Sequence, residues 1–541
     1  MKRKVLAILL TLVCTFSMIT GCGIGTVDNS KGDGAKGDSN CAQLTIATWD
    51  GGIGSQWLEN AAQKFEEKYK DSTDFEEGKK GVDISIVASR SFDGSEMANT
   101  PLTYDVYFVE AIDYYAMVNA NQMADMTEVI TSPLSAYGEE GTILDKMNPT
   151  YQEFLKTSDG KYYAIPFYEA YYGFVYDMDL WDKKSYYISA DGGWAKADGQ
   201  LSAGADGQAG TDDDGLPATY DEFAQLIERI KDSGVTPFAY AANAQDYMAN
   251  VMYAYWAQYE GAEQMALNFT FDGTAKDLIE VSKDGKVKPI KETKITFENG
   301  YELQKQAGKY YVLDFMENVL MADEDNYTML DTHVNAQKSF IKGGTSGDNA
   351  IAMLAEGSWW ENEAKDAFKE IEDAGYERHN YGLMPIPHAT ADKIGQKDTN
   401  IAMSNSYGFV ANNSTHKDLA MEFMSFLHTD EQLSAFTAET NMTRGLDYNI
   451  LPEDEENLTT YAQSVLKIKE ETDVIYPYSS VKQVISNGIM FANFGWAWLS
   501  NVDGYEYKNP FLYFRDTEGA NAVDYFHGQY LYFQTRWQWI L

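Results

Sequence analysis

The chain has 541 residues, enough for about two to four domains whose cores need no covalent staples. Its 83 acidic and 42 basic side chains leave a formal net charge of −41. Such a surface repels nucleic acid and anionic lipid headgroups but tolerates a neutral ligand, a cation or a basic peptide.

Lys2, Arg3 and Lys4 precede an uncharged apolar run from Val5 to Ile19, the pattern of a secretory signal. At about 15 residues the run falls short of the roughly 20 that a membrane-spanning helix needs. Ile19-Thr20-Gly21-Cys22 resembles a bacterial lipobox, in which small residues fit the signal peptidase and the cysteine thiol is acylated. The resemblance implies that residues 1–21 are a lipoprotein signal peptide, and that Cys22 anchors the chain to the outer face of the bacterial cell membrane through acyl chains, palmitate among them. Two acyl chains suffice for stable anchoring, where one gives only marginal binding. The other cysteines are Cys14, which leaves with the signal, and Cys41, which then has no disulfide partner. Asn29 to Asn40 has no large apolar residue, so 22–42 reads as a flexible tether.

The body opens with alternation in Gln43 to Thr48, a break at Trp49-Asp50-Gly51-Gly52, and Leu58, Ala61, Phe65 and Tyr69 at helical spacing. Val82, Ile84 and Ile86 predict a second strand, Asp105 to Val109 a third, and Ala111 to Gln122 a helix. This alternation points to α/β layers with a largely parallel sheet, in which ligands sit beyond the carboxyl ends of the strands. Lys161 to Tyr176 is a long aromatic strand with Pro166 near its middle, and proline in a strand marks an edge or a crossing. Thr219 and Glu222 form a capping box for a helix that carries Phe223, Leu226, Ile227 and Ile230, and Thr236 to Tyr240 reads as a strand. Two insertions interrupt the pattern: a Gly- and Asp-rich one near 191–215, and a polar β one near 271–299 with a hairpin turn at Lys283 to Lys286. Strand and helix signals resume from Asn380 to Pro387, Ser404 to Asn412 and His416 to Leu427, and the last 50 or so residues read as aromatic-rich helix.

In this order, LTIATWDGG (44–52), YDVYFVEAIDYYAMVNANQMADMTEVI (104–130), YAIPFYEAYYGFVYDMDLWDKK (163–184), LPATYDEF (216–223), AEGSWWEN (355–362), YGLMPIPHA (381–389) and YGFVANNSTHKDLAMEFMSFLHTDEQ (407–432) resemble the family 1 extracellular solute-binding proteins, which include maltose-binding protein. The resemblance implies an α/β periplasmic-binding-protein type II fold: two lobes, a ligand cleft between them, and hinge crossings at Ile165 to Tyr172 and about Ala402 to Tyr407. The first lobe would hold 43–165 and 408–450, the second 168–403 and 451–541. The implied function is carbohydrate capture for ABC transporter permease subunits by a monomer that needs no cofactor and leaves the sugar unchanged. A secreted glycoside hydrolase and a sugar-adhesion lipoprotein without a permease are the competing readings.

Trp359, Trp360 and Glu361 fall where family members carry a sugar-stacking aromatic, and Trp360 is the preferred platform. Trp49, Asp50, Glu110 and Asp113 follow the first and third strands, where carboxylates can accept hydrogen bonds from paired sugar hydroxyls. Asp113 is equally well explained as a helix-start carboxylate. In the crossing one of Tyr171 and Tyr172 would face the cleft, because alternate strand residues face the core. Arg444 falls in a loop where family members often present a residue to the cleft, although a surface salt bridge explains it at least as well. Asp246 and Tyr240 follow a second-lobe strand. Asp206, Asp212 and Asp214 concentrate oxygen ligands suggestive of structural calcium, without the spacing of an EF-hand, and the six histidines show no zinc spacing.

Overall fold

The computed structural model describes residues 38, 40–92, 94–347, 349–402, 405–479 and 510–540. Residues 1–21, expected to be a signal peptide, Cys22 and most of the expected tether at 22–42 lie outside them. Two five-stranded sheets organise the chain. The first runs in the order Val82–Ser89, Ala42–Trp49, Val106–Glu110, Ser406–Val410, Ile165–Pro166, with its first three strands parallel and the last two pairings antiparallel. The second runs Tyr327–Leu330, Thr236–Ala241, Ile351–Gly357, Tyr172–Asp177, Tyr381–Leu383. Its first two pairings are parallel and the two made by Tyr172–Asp177 antiparallel. Each sheet has its own apolar core, so the fold is two α/β lobes.

The predicted helix after the third strand shortens to Tyr114–Asn119, because Asp113 caps it. Thr219 accepts from the Glu222 amide at 3.2 Å, but the Glu222 carboxylate reaches back to the Ala218 amide rather than to that of Thr219, so the capping box is half realised. The insertion near 271–299 forms short antiparallel pairs, Ile279–Val281 with Val287–Pro289 and Gly273–Ala275 with Thr293–Ile295, and the first turns through Gly285 at φ 76°. The C-terminal helices Pro510–Asp516 and Ala522–Ile540 pack into the second lobe's core. Cys41 is unpaired. Among the described residues no helix is long and apolar enough to cross a membrane.

The chain passes between lobes a few residues after Pro166, between Ala170 and Tyr171. Phe167 still donates to Ser406 of the first sheet at 3.1 Å, whereas Tyr171 already accepts from Ser358 of the second at 2.9 Å. Between them Glu169 is buried against Lys469 at 3.1 Å and Tyr476 at 2.9 Å. The Lys469 ammonium, on the helix Thr460–Glu471, also donates to the Arg444 and Leu446 carbonyls at 2.9 and 2.7 Å. A buried ion pair whose remaining hydrogen bonds are met holds one geometry, here at the junction between the lobes. The first lobe extends slightly further than 450: Leu451 and Asp454 bond Ser434 at 2.8 and 2.6 Å, and the chain crosses again between Glu455 and Thr460.

Candidate functional site

Side chains from both lobes meet at Tyr172, the first residue of its strand. Asn250 hydrogen-bonds its hydroxyl, and Asp246, Tyr478 and Glu110 surround it. Asp246 and Asn250 come from the first turns of the helix Gln245–Thr270 and Glu110 from the carboxyl end of its strand in the first sheet. Burial raises the Tyr172 phenol well above its ordinary value, and Asp246, Tyr478 and Glu110 add to the rise. The Tyr478 phenol is pushed up to about 12 by burial and then by Asp246. Both therefore remain neutral hydroxyls that donate and accept. Asp246 is open to solvent, yet its carboxyl is raised by the protein packed around it.

Trp359 closes this group. Its ring meets Tyr172 edge-on at 5.2 Å and 78° and Tyr247 at 5.0 Å and 69°. The half-buried indole packs against the cores of both lobes. Across from it, on the loop after the first strand, a Cβ on Gly52 would lie 2.9 Å from the Trp359 ring, so a side chain there would push the lobes apart. Asn362 donates across the same seam to the Gly52 and Ile53 carbonyls, both at 2.6 Å. Behind Trp359, Gln337 donates to Glu356 at 3.0 Å and Glu363 at 2.8 Å. Burial, and then Glu363, hold the Glu356 carboxyl well above the usual range.

The structure brings Tyr172, Asp246, Glu110 and Trp359 together. Trp49 and Asp50 are half-buried at the first strand's end, where the Trp49 ring lies over Gly51 and Arg90 donates to the Asp50 carbonyl at 3.1 Å. The other residues are placed elsewhere. Trp360 is 0% exposed, with its indole between Phe340, Phe368, Tyr381 and Tyr461 at 5.0–5.7 Å, so no face remains for a ligand. Glu361 is buried against Arg378 and accepts from Thr459 at 2.6 Å. Tyr171 turns to the opposite side from Tyr172, is 0% exposed and donates to Glu169, as strand alternation requires of one of the pair. Asp113 is a helix cap that accepts from the Ala116 amide at 2.9 Å. Tyr240 is buried among Phe238, Tyr327 and Phe511.

Arg444 is also corrected. It is 0% exposed, its guanidinium lies 5.2–5.5 Å from the rings of Trp57, Phe167 and Phe436, and its Nη2 donates to His428 Nε2 at 2.9 Å. His428 can accept because burial, and then Arg444, depress its pKa well below the usual value. The arginine is an internal strut of the first lobe.

The calcium set does not converge. Asp206 accepts from the Gln208 amide at 2.7 Å, Asp214 from the Gly210 amide at 2.7 Å, and Asp212 pairs with Lys467. Among the described residues, donors of metal-ligating type converge at Asp177, Asp179 and His379 instead. There His379 Nδ1 sits 2.8 Å from Asp177 Oδ2, and Asp177 also caps the Leu180 amide at 2.9 Å.

Tyr247, Asn250, Asn362 and Tyr478 were not singled out in the sequence. Tyr247 and Asn250 lie within a 26-residue helix whose many aromatics read as core, and only their nearness to Asp246 signals them.

A family model described as bacterial extracellular solute-binding protein matches residues 52–433. Among solved structures the chain is similar to the solute-binding protein RafE in complex with raffinose, at 13% identity over 91% of this chain and 99% of that one, with a TM-score of 0.52. It is similar too to the GacH receptor of Streptomyces glaucescens, described unliganded and in complex with acarbose, at 13% identity over 92% and 99% and a TM-score of 0.51. A comparison with curated protein sequences finds no match.

Proposed function

Because the chain belongs to the bacterial extracellular solute-binding protein family, we propose that it is the carbohydrate receptor of an ABC importer, which takes an oligosaccharide into the groove between its lobes and hands it on unchanged. The observation that carries this reading is the group around Tyr172: phenols kept neutral, an indole at the seam, and carboxylates at strand and helix ends of both lobes. Sugar hydroxyls need several directed acceptors, which Asp246 and Glu110 provide, and their C–H faces need aromatic surface, which Trp359 and Tyr172 provide. The groups are divided between lobes, so a ligand that touches both is bound best when the lobes close, and binding free energy goes into closure. RafE with raffinose and GacH with acarbose are similar folds whose ligands are of this chemical kind.

Cys22, acylated before cleavage after Gly21, would hold the receptor at the outer face of the cell membrane, with the tether 22–42 giving it reach to the permease. The receptor acts as a monomer and requires no cofactor. Incubation of the purified protein with a labelled oligosaccharide panel that includes raffinose tests the reading. One-to-one binding at micromolar Kd with the sugar recovered intact is expected, and release of shorter sugars would mean a hydrolase.

A further inference from the structure

A second cavity of about 290 Å³ opens on the flank of the second lobe, walled by the loop 204–216, the far end of the strand Tyr172–Asp177, the edge strand Tyr381–Leu383, residues 398–400 and the helix Thr460–Glu471. Tyr172, in the groove, and Tyr176, in this wall, are four residues apart, roughly 13 Å along the strand. The two sites are therefore separate, and part of the wall comes from the Gly- and Asp-rich insertion.

The walls are apolar and acidic together. Tyr176, Leu216, Ile386 and Ile468 supply the apolar part. The Tyr176 ring lies so close on Gly382 that a Cβ there would come within 2.6 Å of it, so the cavity's shape depends on a glycine in the edge strand. Asp206, Asp213, Asp398 and Glu471 line the space; its ammonium, Lys467, pairs with Asp212 and is also drawn by Glu471, and His388 Nε2 lies 3.7 Å from Asp398. Asp398 accepts from Gln258 at 2.5 Å, and burial pushes its carboxyl up to about 6, with Asp213, Asp206 and Glu471 adding to the rise.

Two further side chains in the wall have unmet hydrogen-bonding capacity. Asn400, 3% exposed, spends its Oδ1 on the Ile401 amide at 2.7 Å, and its Nδ2 has no partner among the described residues. The Tyr176 hydroxyl, on a residue 5% exposed, likewise has none. Buried polar groups are normally paired, and both of these residues line the cavity.

We infer that this cavity is an accessory binding site for a small organic cation, an alkylammonium compound with a polar hydroxyl or amine at its other end. A bare divalent ion needs six or more converging oxygens, and the carboxylates here are spread around the wall and turned to backbone amides. A quaternary alkylammonium carries a diffuse charge that several carboxylates stabilise at longer range, its methyl and methylene groups fit the apolar wall, and its polar end would meet Tyr176 and Asn400. Lys467 now does part of that work from the rim and would compete with the ligand for Asp212.

Choline and its neutral isostere 3,3-dimethylbutan-1-ol test the proposal by calorimetry on the intact protein at low ionic strength. Choline is expected to saturate one site with a Kd below about 1 mM, and the alcohol to bind at least about tenfold more weakly. Asp398→Asn should weaken choline at least about tenfold, and Lys467→Met, a change on a half-exposed helix position, should tighten it. Failure of choline to saturate, equal affinity for the alcohol, displacement of choline by equimolar calcium, or choline binding insensitive to both substitutions would each overturn the proposal. Should Asp398→Asn fail to fold, the sign of the Lys467→Met effect decides.

Discussion

Trp360→Ala should cost the second lobe about 3–5 kcal/mol of stability, the range for truncating a large buried aromatic. The indole is 0% exposed and meets four rings edge-on, from Phe340, Phe368, Tyr381 and Tyr461. Edge-to-face contacts add to its apolar burial, and the rings around it belong to four separate segments that cannot all collapse into the space. Among the described residues its Nε1 has no hydrogen-bond partner, so the substitution strands no acceptor there and the cost is one of packing. Denaturant unfolding followed in the second lobe would read the effect, and a loss under about 1 kcal/mol would contradict this placement.

Trp359→Ala should instead weaken oligosaccharide binding at least tenfold, about 1.4 kcal/mol or more, while leaving the fold in place. The adjacent residue is half-buried at the seam, where it touches Tyr172 and Tyr247 and sits against Gly52 of the opposite lobe. Removing it takes away the aromatic surface and the piece that meets the first lobe on closure. Titration of the variant with the tightest ligand of the panel checks this, and unchanged affinity in a folded variant would remove Trp359 from the site.

The contrast between these neighbours shows what a sequence can carry. Strand and helix periods are local, so the α/β alternation, the crossing around Pro166, the hairpin turn at Gly285 and the helix Lys417–Leu427 were all readable from nearby residues. Trp359 and Trp360 share that local signal. They differ because Trp360 begins a helical turn and swings into a core built from Phe340, Tyr381 and Tyr461, residues far away in the chain. Arg444 follows the same logic, since only the fold brings Trp57, Phe167 and His428 around it. Tyr171 and Tyr172 were legible as a pair that must face opposite ways, and the structure turns Tyr171 to Glu169 and Tyr172 to Trp359 at the seam. Asp206, Asp212 and Asp214 suggested calcium from composition, but a ligand set depends on which way each carboxylate turns, and each turns to a partner within the protein.

Small-angle scattering of the full folded body, with and without a saturating oligosaccharide identified in the binding panel, measures whether two lobes shut over an unaltered sugar. A smaller radius of gyration in the loaded protein, reversed when intact sugar is dialysed away, is the predicted result. A radius that does not change on saturation would contradict the account.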